Sequence, residues 1–234
     1  MKIFHSPLRR FKAAVALVGL AGSAAMITFP VTSDDKKTEM VVLTTDYGEM
    51  TIRLYDETPL HKENFLKLAG EGFYDGLLFH RVISGFMVQG GDPDSRGAGP
   101  NAQLGRGGPG YTVPAEIKTD FIHKKGALAA ARQGDAVNPG KASSGSQFYL
   151  VHGAPVDTAA LRRTGKTFYT NDQLETYGRL GGTPHLDGGY TLFGEVIAGL
   201  DVIDSIAAQP VNRRTNRPLK DIKMTAKIVK KKWK

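Results

Sequence analysis

From Glu39 onward every apolar run in this chain is short, and a turn residue soon interrupts it. "LLFHRVI", "FMVQGG", "GALAAA", "SQFYLVH" and "YTLFGEV" each hold enough apolar residues for one strand and too few for a helix. "MVVLTTDYGEMTIRLY" reads as two strands with a turn at Asp46-Tyr47-Gly48, and Met50, Ile52 and Leu54 alternate with polar partners on the second. Two stretches break this rhythm. In "TPLHKENFLKLAGEG", Thr58 suits an N-cap, Pro59 the first helical position and Gly70 the stop, with Leu60, Phe65, Leu66, Leu68 and Ala69 as the apolar stripe. "LDVIDSIAAQ" carries Leu200, Ile203, Ile206 and Ala207 at helical spacing and ends at Pro210. "DIKMTAKIVKK" alternates again as a final strand. Many short strands and two principal helices predict a mainly β fold, an antiparallel closed barrel capped by two α-helices. A Rossmann sheet is excluded, because no regular helices separate the strands.

The chain of 234 residues suits one domain with extensions. Residues 1–12 are basic and residues 13–29 carry no charge, the order of an export signal. Small residues at 21–25 offer a cleavage site. Uncleaved, the same segment is long enough for a membrane anchor, and both readings stay open. Segment 1–30 is thus a signal peptide or anchor and 31–38 a polar linker. Residues 39–234 form the folded domain, which faces away from the cytoplasm, in the periplasm or tethered to the inner membrane. The net charge of +8 is unevenly spread. Lys2, Arg9, Arg10 and Lys12 supply four charges of the leading segment, and four lysines surround Trp233 at the other end. Solvated termini explain that charge better than a nucleic-acid surface.

With no cysteine, the chain has no disulfide, thiol nucleophile or Cys-ligated zinc. Its six histidines are scattered without ligand spacing, so no metal is expected. "KASSGSQF" is not a nucleophile elbow, Asp92 and Asp94 have no matching second acidic pair, and no Walker loop occurs. "GRGGPG" at 105–110 formally matches a dinucleotide fingerprint, but it opens no helix and holds Pro109, so a structural loop is expected. Arg81 and Gln89 stand out, beside Phe86 and Met87, with Gln147 and Tyr149 at alternate positions of another strand. Phe86, Met87 and Tyr149 alone would pass as barrel core. An arginine and two glutamines among them leave donors that a plain core would not satisfy. The set describes an apolar pocket with a few convergent polar groups. It lacks a nucleophile, a base and a metal, and suits a reaction needing none of them.

"FHRVISGFMVQGGDP", "GSQFYLV" and "HLDGGYTLFGEV", in that order, resemble the signature segments of the cyclophilin family of peptidyl-prolyl cis/trans isomerases, and the likeness covers roughly residues 39–230. The resemblance implies an eight-stranded antiparallel barrel with two capping helices. It implies that Arg81 is the catalytic arginine, oriented by Gln89, that Phe86, Met87 and Leu186 wall a proline pocket, and that Gln89 and Gln147 bind the substrate backbone. Ala131 and Arg132 match the strand edge whose backbone pairs with the peptide. Arg132 stands where the family usually has asparagine, Tyr149 where it has phenylalanine, His185 tryptophan and Tyr190 histidine. The family's characteristic ligand is cyclosporin, which uses that tryptophan.

Rotation about an X–Pro bond faces a barrier of ~18–20 kcal/mol because the amide C–N bond is partly double. A guanidinium near the nitrogen would favour the twisted state over either planar one. The expected enzyme is a monomer that needs no cofactor and acts on X–Pro bonds of unfolded or partly folded exported polypeptides. The alternative is a non-catalytic peptide-binding chaperone or scaffold on the same fold. Residues 153–184 lengthen a connection that is short in the family. "DTAALRR" and "NDQLETYGRLGG" read there as helices, with Asp157 and Asn171 as caps and Gly181 as a stop. A harmless surface insertion and a substrate-contacting role both remain open.

Overall fold

The computed structural model describes residues 37–164 and 169–232. The expected signal or anchor, most of the expected linker, and Trp233 lie outside the described residues. Strand β1 (Lys37–Thr45) turns through Asp46-Tyr47 into β2 (Gly48–Leu54), and Met50, Ile52 and Leu54 face inward as the alternation predicts. Helix α1 (Pro59–Gly70) follows, then β3 (Arg81–Ile83), β4 (Met87–Gly90), β5 (Thr112–Val113), β6 (Ala127–Ala130), β7 (Ser143–Ser144) and β8 (Phe148–Val151). The insertion supplies α2 (Thr158–Arg163) and α3 (Asn171–Leu180). Strand β9 (Leu192–Ala198), helix α4 (Leu200–Ala207) and strand β10 (Met224–Lys232) complete the chain.

Eight strands form one curled antiparallel sheet in the order β10-β1-β2-β9-β6-β8-β4-β3, with β5 and β7 paired separately. The closed barrel needs one correction, since no ladder joins β3 to β10 among the described residues. The segment before β3 meets the start of β10 and the residues just before it instead. Gly76 N donates to Met224 O, Phe79 N to Ile222 O and Met224 N to Leu77 O, each at 2.9 Å. These bonds bring the two ends of the sheet together without a ladder between β3 and β10.

Both helices bury one face in the same interior. Phe65 and Leu68 of α1 and Val202, Ile203 and Ile206 of α4 join Leu43, Ile52, Val88, Leu128 and Leu150. Phe65 lies at the centre of an aromatic cluster, 5.0 Å from Tyr74 and 5.4 Å from both Phe148 and Phe193. The expected stripe of α1 shifts, for Leu60 is exposed and His61 is buried. The cap shifts with it. Thr58 makes no side-chain cap, and the Glu116 carboxylate accepts from Leu60 N and His61 N at 3.1 and 3.0 Å. A distant carboxylate thus meets the positive end of the helix. The helix ends at Gly70 as expected, Glu71 caps it, and Gly72 follows in the left-handed conformation at φ 69°. In the insertion, Asp157 caps α2 as predicted, while α3 is capped by Thr170, one residue before Asn171, in a capping box with Gln173.

Candidate active site

Strands β4, β6 and β8 are buried on both faces. Their inner side chains join the helices. Their outer ones, Met87, Ala127, Ala129, Tyr149 and Val151, form a second cluster partly covered by Phe86, Leu186 and Tyr190. Register sets the polar groups beside that cluster. Arg81 pairs with Gln89, Gln89 with Tyr149, and Tyr149 with Ala129 across four neighbouring strands. Residues in register across a sheet share a face, so one arginine, one amide and one aromatic ring form a row.

Arg81 Nη1 donates to Gln89 Oε1 at 3.2 Å, Gln89 Nε2 to Gln147 Oε1 at 3.1 Å, and Gln147 Nε2 to Gly107 O at 2.7 Å. A guanidinium can only donate, so this chain has one direction and fixes both amide orientations. The bond uses one edge of the Arg81 fork, and the side chain stays half-buried at the wall of a groove of about 610 Å³. Phe86, from the β3–β4 turn, stacks on His185 with ring centres 5.7 Å apart.

The other wall rests on the insertion. The Asp187 carboxylate accepts from His123 N at 2.8 Å, Tyr177 Oη at 2.6 Å and Tyr169 Oη at 2.9 Å, and it meets His123 Nδ1 at 2.7 Å. That proton on Nδ1 leaves His123 Nε2 to accept from Tyr149 Oη at 3.0 Å. Burial pushes the Tyr149 phenol well above its ordinary pKa, so its proton is retained. Tyr190 packs edge-on to Tyr149 at 5.8 Å, and the Arg132 guanidinium lies 4.5 Å above the Tyr190 ring.

Nine of the eleven residues expected at the site line the groove: Arg81, Phe86, Met87, Gln89, Ala131, Arg132, Tyr149, Leu186 and Tyr190. Gln147 stands behind Gln89, buried, with both ends of its amide bonded. His185 is exposed beside Phe86. The shared role expected for Ala131 and Arg132 divides. Ala131 N already donates to Gln147 O at 3.0 Å, and Ala131 O accepts from Ser144 N at 2.8 Å. Among the described residues no hydrogen bond uses the backbone of Arg132, which is therefore the group free to pair with a peptide.

The groove also runs beyond the expected set, past Arg81 to His80, to the loop at 100–106 and to the loop at 212–217. "NRRTNR" at 212–217, three arginines in six residues, was the available signal. The glycines between the strands shape this end. A Cβ on Gly91, at φ 85°, would lie 2.2 Å from Ser146 O, and one on Gly107 would lie 2.1 Å from Asp92 Oδ1. Their absence of side chain therefore serves loop packing. No cluster of side chains with metal-ligating capacity occurs among the described residues.

The groove thus joins an apolar pocket, Arg81 held at its wall by Gln89, and the unpaired backbone of Arg132. The model of the cyclophilin type peptidyl-prolyl cis-trans isomerase family matches residues 40–228, and the chain belongs to that family. It is 36% identical over 183 residues to proteins of Staphylococcus epidermidis and Staphylococcus aureus, each named "Putative peptidyl-prolyl cis-trans isomerase". These matches cover 78% of this chain and 87% of each relative. A crystal structure of a Cryptosporidium parvum cyclophilin type peptidyl-prolyl cis-trans isomerase superposes with a TM-score of 0.58 at 25% identity, covering 82% of this chain and 96% of that one. The chain is a peptidyl-prolyl cis/trans isomerase.

Proposed function

We propose that Arg81 catalyses rotation about X–Pro bonds in polypeptides that fold after export. The observation that carries this reading is the directed chain from Arg81 through Gln89 and Gln147 to Gly107 O, which holds one guanidinium edge and leaves the other facing the groove. The proline ring sits against Phe86, Met87 and Leu186. The backbone of Arg132 pairs with the peptide and fixes one side of the bond while the other turns. In the twisted amide the nitrogen lone pair is localised, and Arg81 donates to it. That bond forms only when conjugation is broken, so it lowers the barrier without tightening either planar state. No covalent bond is made or cut, and no proton is transferred. Arginine suits the task because it stays charged and offers several donors in a rigid fork.

Export rests on the basic and then uncharged segment 1–30. Among the described residues no helix is long and apolar enough to cross a membrane, so any anchor would be that segment.

The test is Arg81→Ala in an isomerisation assay on a short X–Pro peptide. Turnover should fall about 10²–10³-fold, the usual cost of one transition-state donor. A folded variant with unchanged turnover would remove Arg81 from the mechanism. Fractionation should find the full chain outside the cytoplasm, and N-terminal sequencing near residues 24–26 would decide for cleavage.

A further inference from the structure

Beyond Arg81, the groove is built from different material than the proline pocket. Along β3 and β4 the order runs from Ile83 and Met87 to Arg81 and Gln89, and then to His80. His80 lines the groove and is 4% exposed; its ring lies near the Leu78 backbone and the Asp92 carboxylate, and among the described residues neither ring nitrogen makes a well-formed hydrogen bond. A buried imidazole in that condition is costly unless a ligand completes it.

Two loops rise on either side, and both are fastened. Arg217 donates to Gly99 O at 2.7 Å and Ala98 O at 3.1 Å, tying the start of one loop to the end of the other. The first is held again where the Asp92 carboxylate accepts from Gly105 N. The second is folded on Asn212 Oδ1, which accepts from Arg214 N and Thr215 N at 2.9 and 3.3 Å, and it meets β3 where Val82 N donates to Asn216 O. Arg106 and Arg214 line the groove from the two loops, both exposed, and among the described residues no carboxylate lines it. The neighbouring acids are engaged elsewhere, Asp221 with Arg217 and Asp135 with Arg132. Asp92 is fully buried and spends its oxygens on backbone N–H groups.

We infer that this end of the groove is a subsite for a carboxylate side chain carried by the substrate close to its X–Pro bond. The inference rests on the isomerase reading and adds a substrate class to it, namely proline segments flanked by aspartate or glutamate. The carboxylate lies between Arg106 and Arg214 and accepts from His80. Burial holds the imidazole neutral, with its pKa lowered to about 4, so one nitrogen keeps a proton to donate.

The experiment uses the full chain and matched X–Pro peptides carrying Glu, Gln or Lys at each flanking position in turn. At one position the Glu peptide should exceed the Gln peptide in kcat/KM by about three- to fivefold, the range of a partly exposed charge pair. The difference should lie in KM and shrink with added salt, and the Lys peptide should rank last. Arg214→Glu should reverse the order of Glu and Lys. Each ratio is taken within one protein, so a change in overall turnover does not disturb it. Equal Glu and Gln values at every position, or a preference that survives Arg214→Glu, overturns the subsite. No turnover of any peptide would instead fell the isomerase reading. Equilibrium binding of the same peptides then still decides, with tighter binding of the Glu peptide supporting the subsite and equal binding overturning it.

Discussion

The two faces of β4, β6 and β8 are built on opposite principles. The inner face presents Val88, Leu128, Ala130, Phe148 and Leu150 to the capping helices, hydrocarbon against hydrocarbon. The outer face mixes Met87 and Val151 with Tyr149, and it borders Gln89 and Arg81. Inside, any apolar group of the right volume would serve, because burial is non-directional. Outside, each polar atom must find a partner at a set distance, and the partners come from remote segments: Gly107 for Gln147, and Asp187 through His123 for Tyr149. The inner face contributes stability through area. The outer face holds a few groups in orientation and leaves one edge of an arginine unspent.

The sharpest break in that comparison is a pair of truncations. Leu150→Ala, on the fully buried inner face, should lower unfolding free energy by about 2–5 kcal/mol while the folded fraction keeps its kcat/KM. Arg81→Ala should do the reverse, losing about 10²–10³ in turnover and under about 1 kcal/mol in stability, since its partner Gln89 stays half-buried within reach of water. Denaturant titration and an isomerisation assay on both variants measure the dissociation. Similar losses by both measures in either variant would mean the faces are not separable.

The next effect concerns pH. Burial lowers the His80 pKa from 6.5 to about 4, with Asp92 opposing and Arg81 and Arg217 reinforcing the shift. The unfolded chain therefore binds a proton that the folded one refuses. This group's stabilisation is complete above about pH 6.5 and is lost as pH falls towards about 4, a change of roughly 3 kcal/mol. His61, whose pKa burial also lowers despite Glu116, slopes the same way. Denaturation midpoints across that range should fall for the parent, and less steeply for His80→Gln. Parallel slopes would show that His80 is not the group responsible.

Legibility in the sequence follows the same division. The strands were readable because period-two alternation is local, and Met50, Ile52 and Leu54 point inward as expected. The cap of α1 was not, because its oxygens come from Glu116, more than fifty residues on, and nothing near Thr58 announces it. The ends of the sheet meet through residues 76–79 and 222–224 rather than through a ladder between β3 and β10, and that junction has no local pattern. In the site, Arg81, Phe86 and Gln89 were conspicuous as chemistry out of place in one apolar segment. The role of Ala131 was assigned too broadly, because only the folded chain shows its backbone already paired. The far end of the groove stayed hidden because loops 100–106 and 212–217 lie more than a hundred residues apart, and Arg217 ties them through Ala98 O and Gly99 O, a link with no local pattern.

A smaller effect isolates one bond of the outer face. Tyr149→Phe removes the donor to His123 Nε2 and leaves a buried acceptor unmet, which should cost about 1–3 kcal/mol of stability. The ring that floors the pocket remains, so kcat/KM should change by less than about threefold, or ~0.7 kcal/mol. A larger loss of turnover would mean that the phenol hydroxyl, and not the ring alone, sets the pocket.

The smallest expected effect on turnover belongs to His185, and it separates substrate from inhibitor. His185 is exposed and stacks on Phe86 with planes 26° apart. It supports the pocket from outside without lining the groove. A short X–Pro peptide seated on Met87 and Leu186 should not register a change there. Cyclosporin spreads over the rim, and in the family it uses the face and indole N–H of a tryptophan at this position. An imidazole offers less apolar area, at roughly 25 cal/mol per Å² removed from water. It is also more strongly hydrated, so covering it with an apolar ligand costs more. Cyclosporin should therefore bind weakly, and His185→Trp should tighten it while short-peptide kcat/KM stays within about twofold, or ~0.4 kcal/mol. Titration of both proteins in the isomerase assay reads both quantities together. Equal and tight inhibition of the two would shift the determinant away from residue 185 to the insertion beside it, whose α3 reaches the same wall through Tyr177 and Asp187.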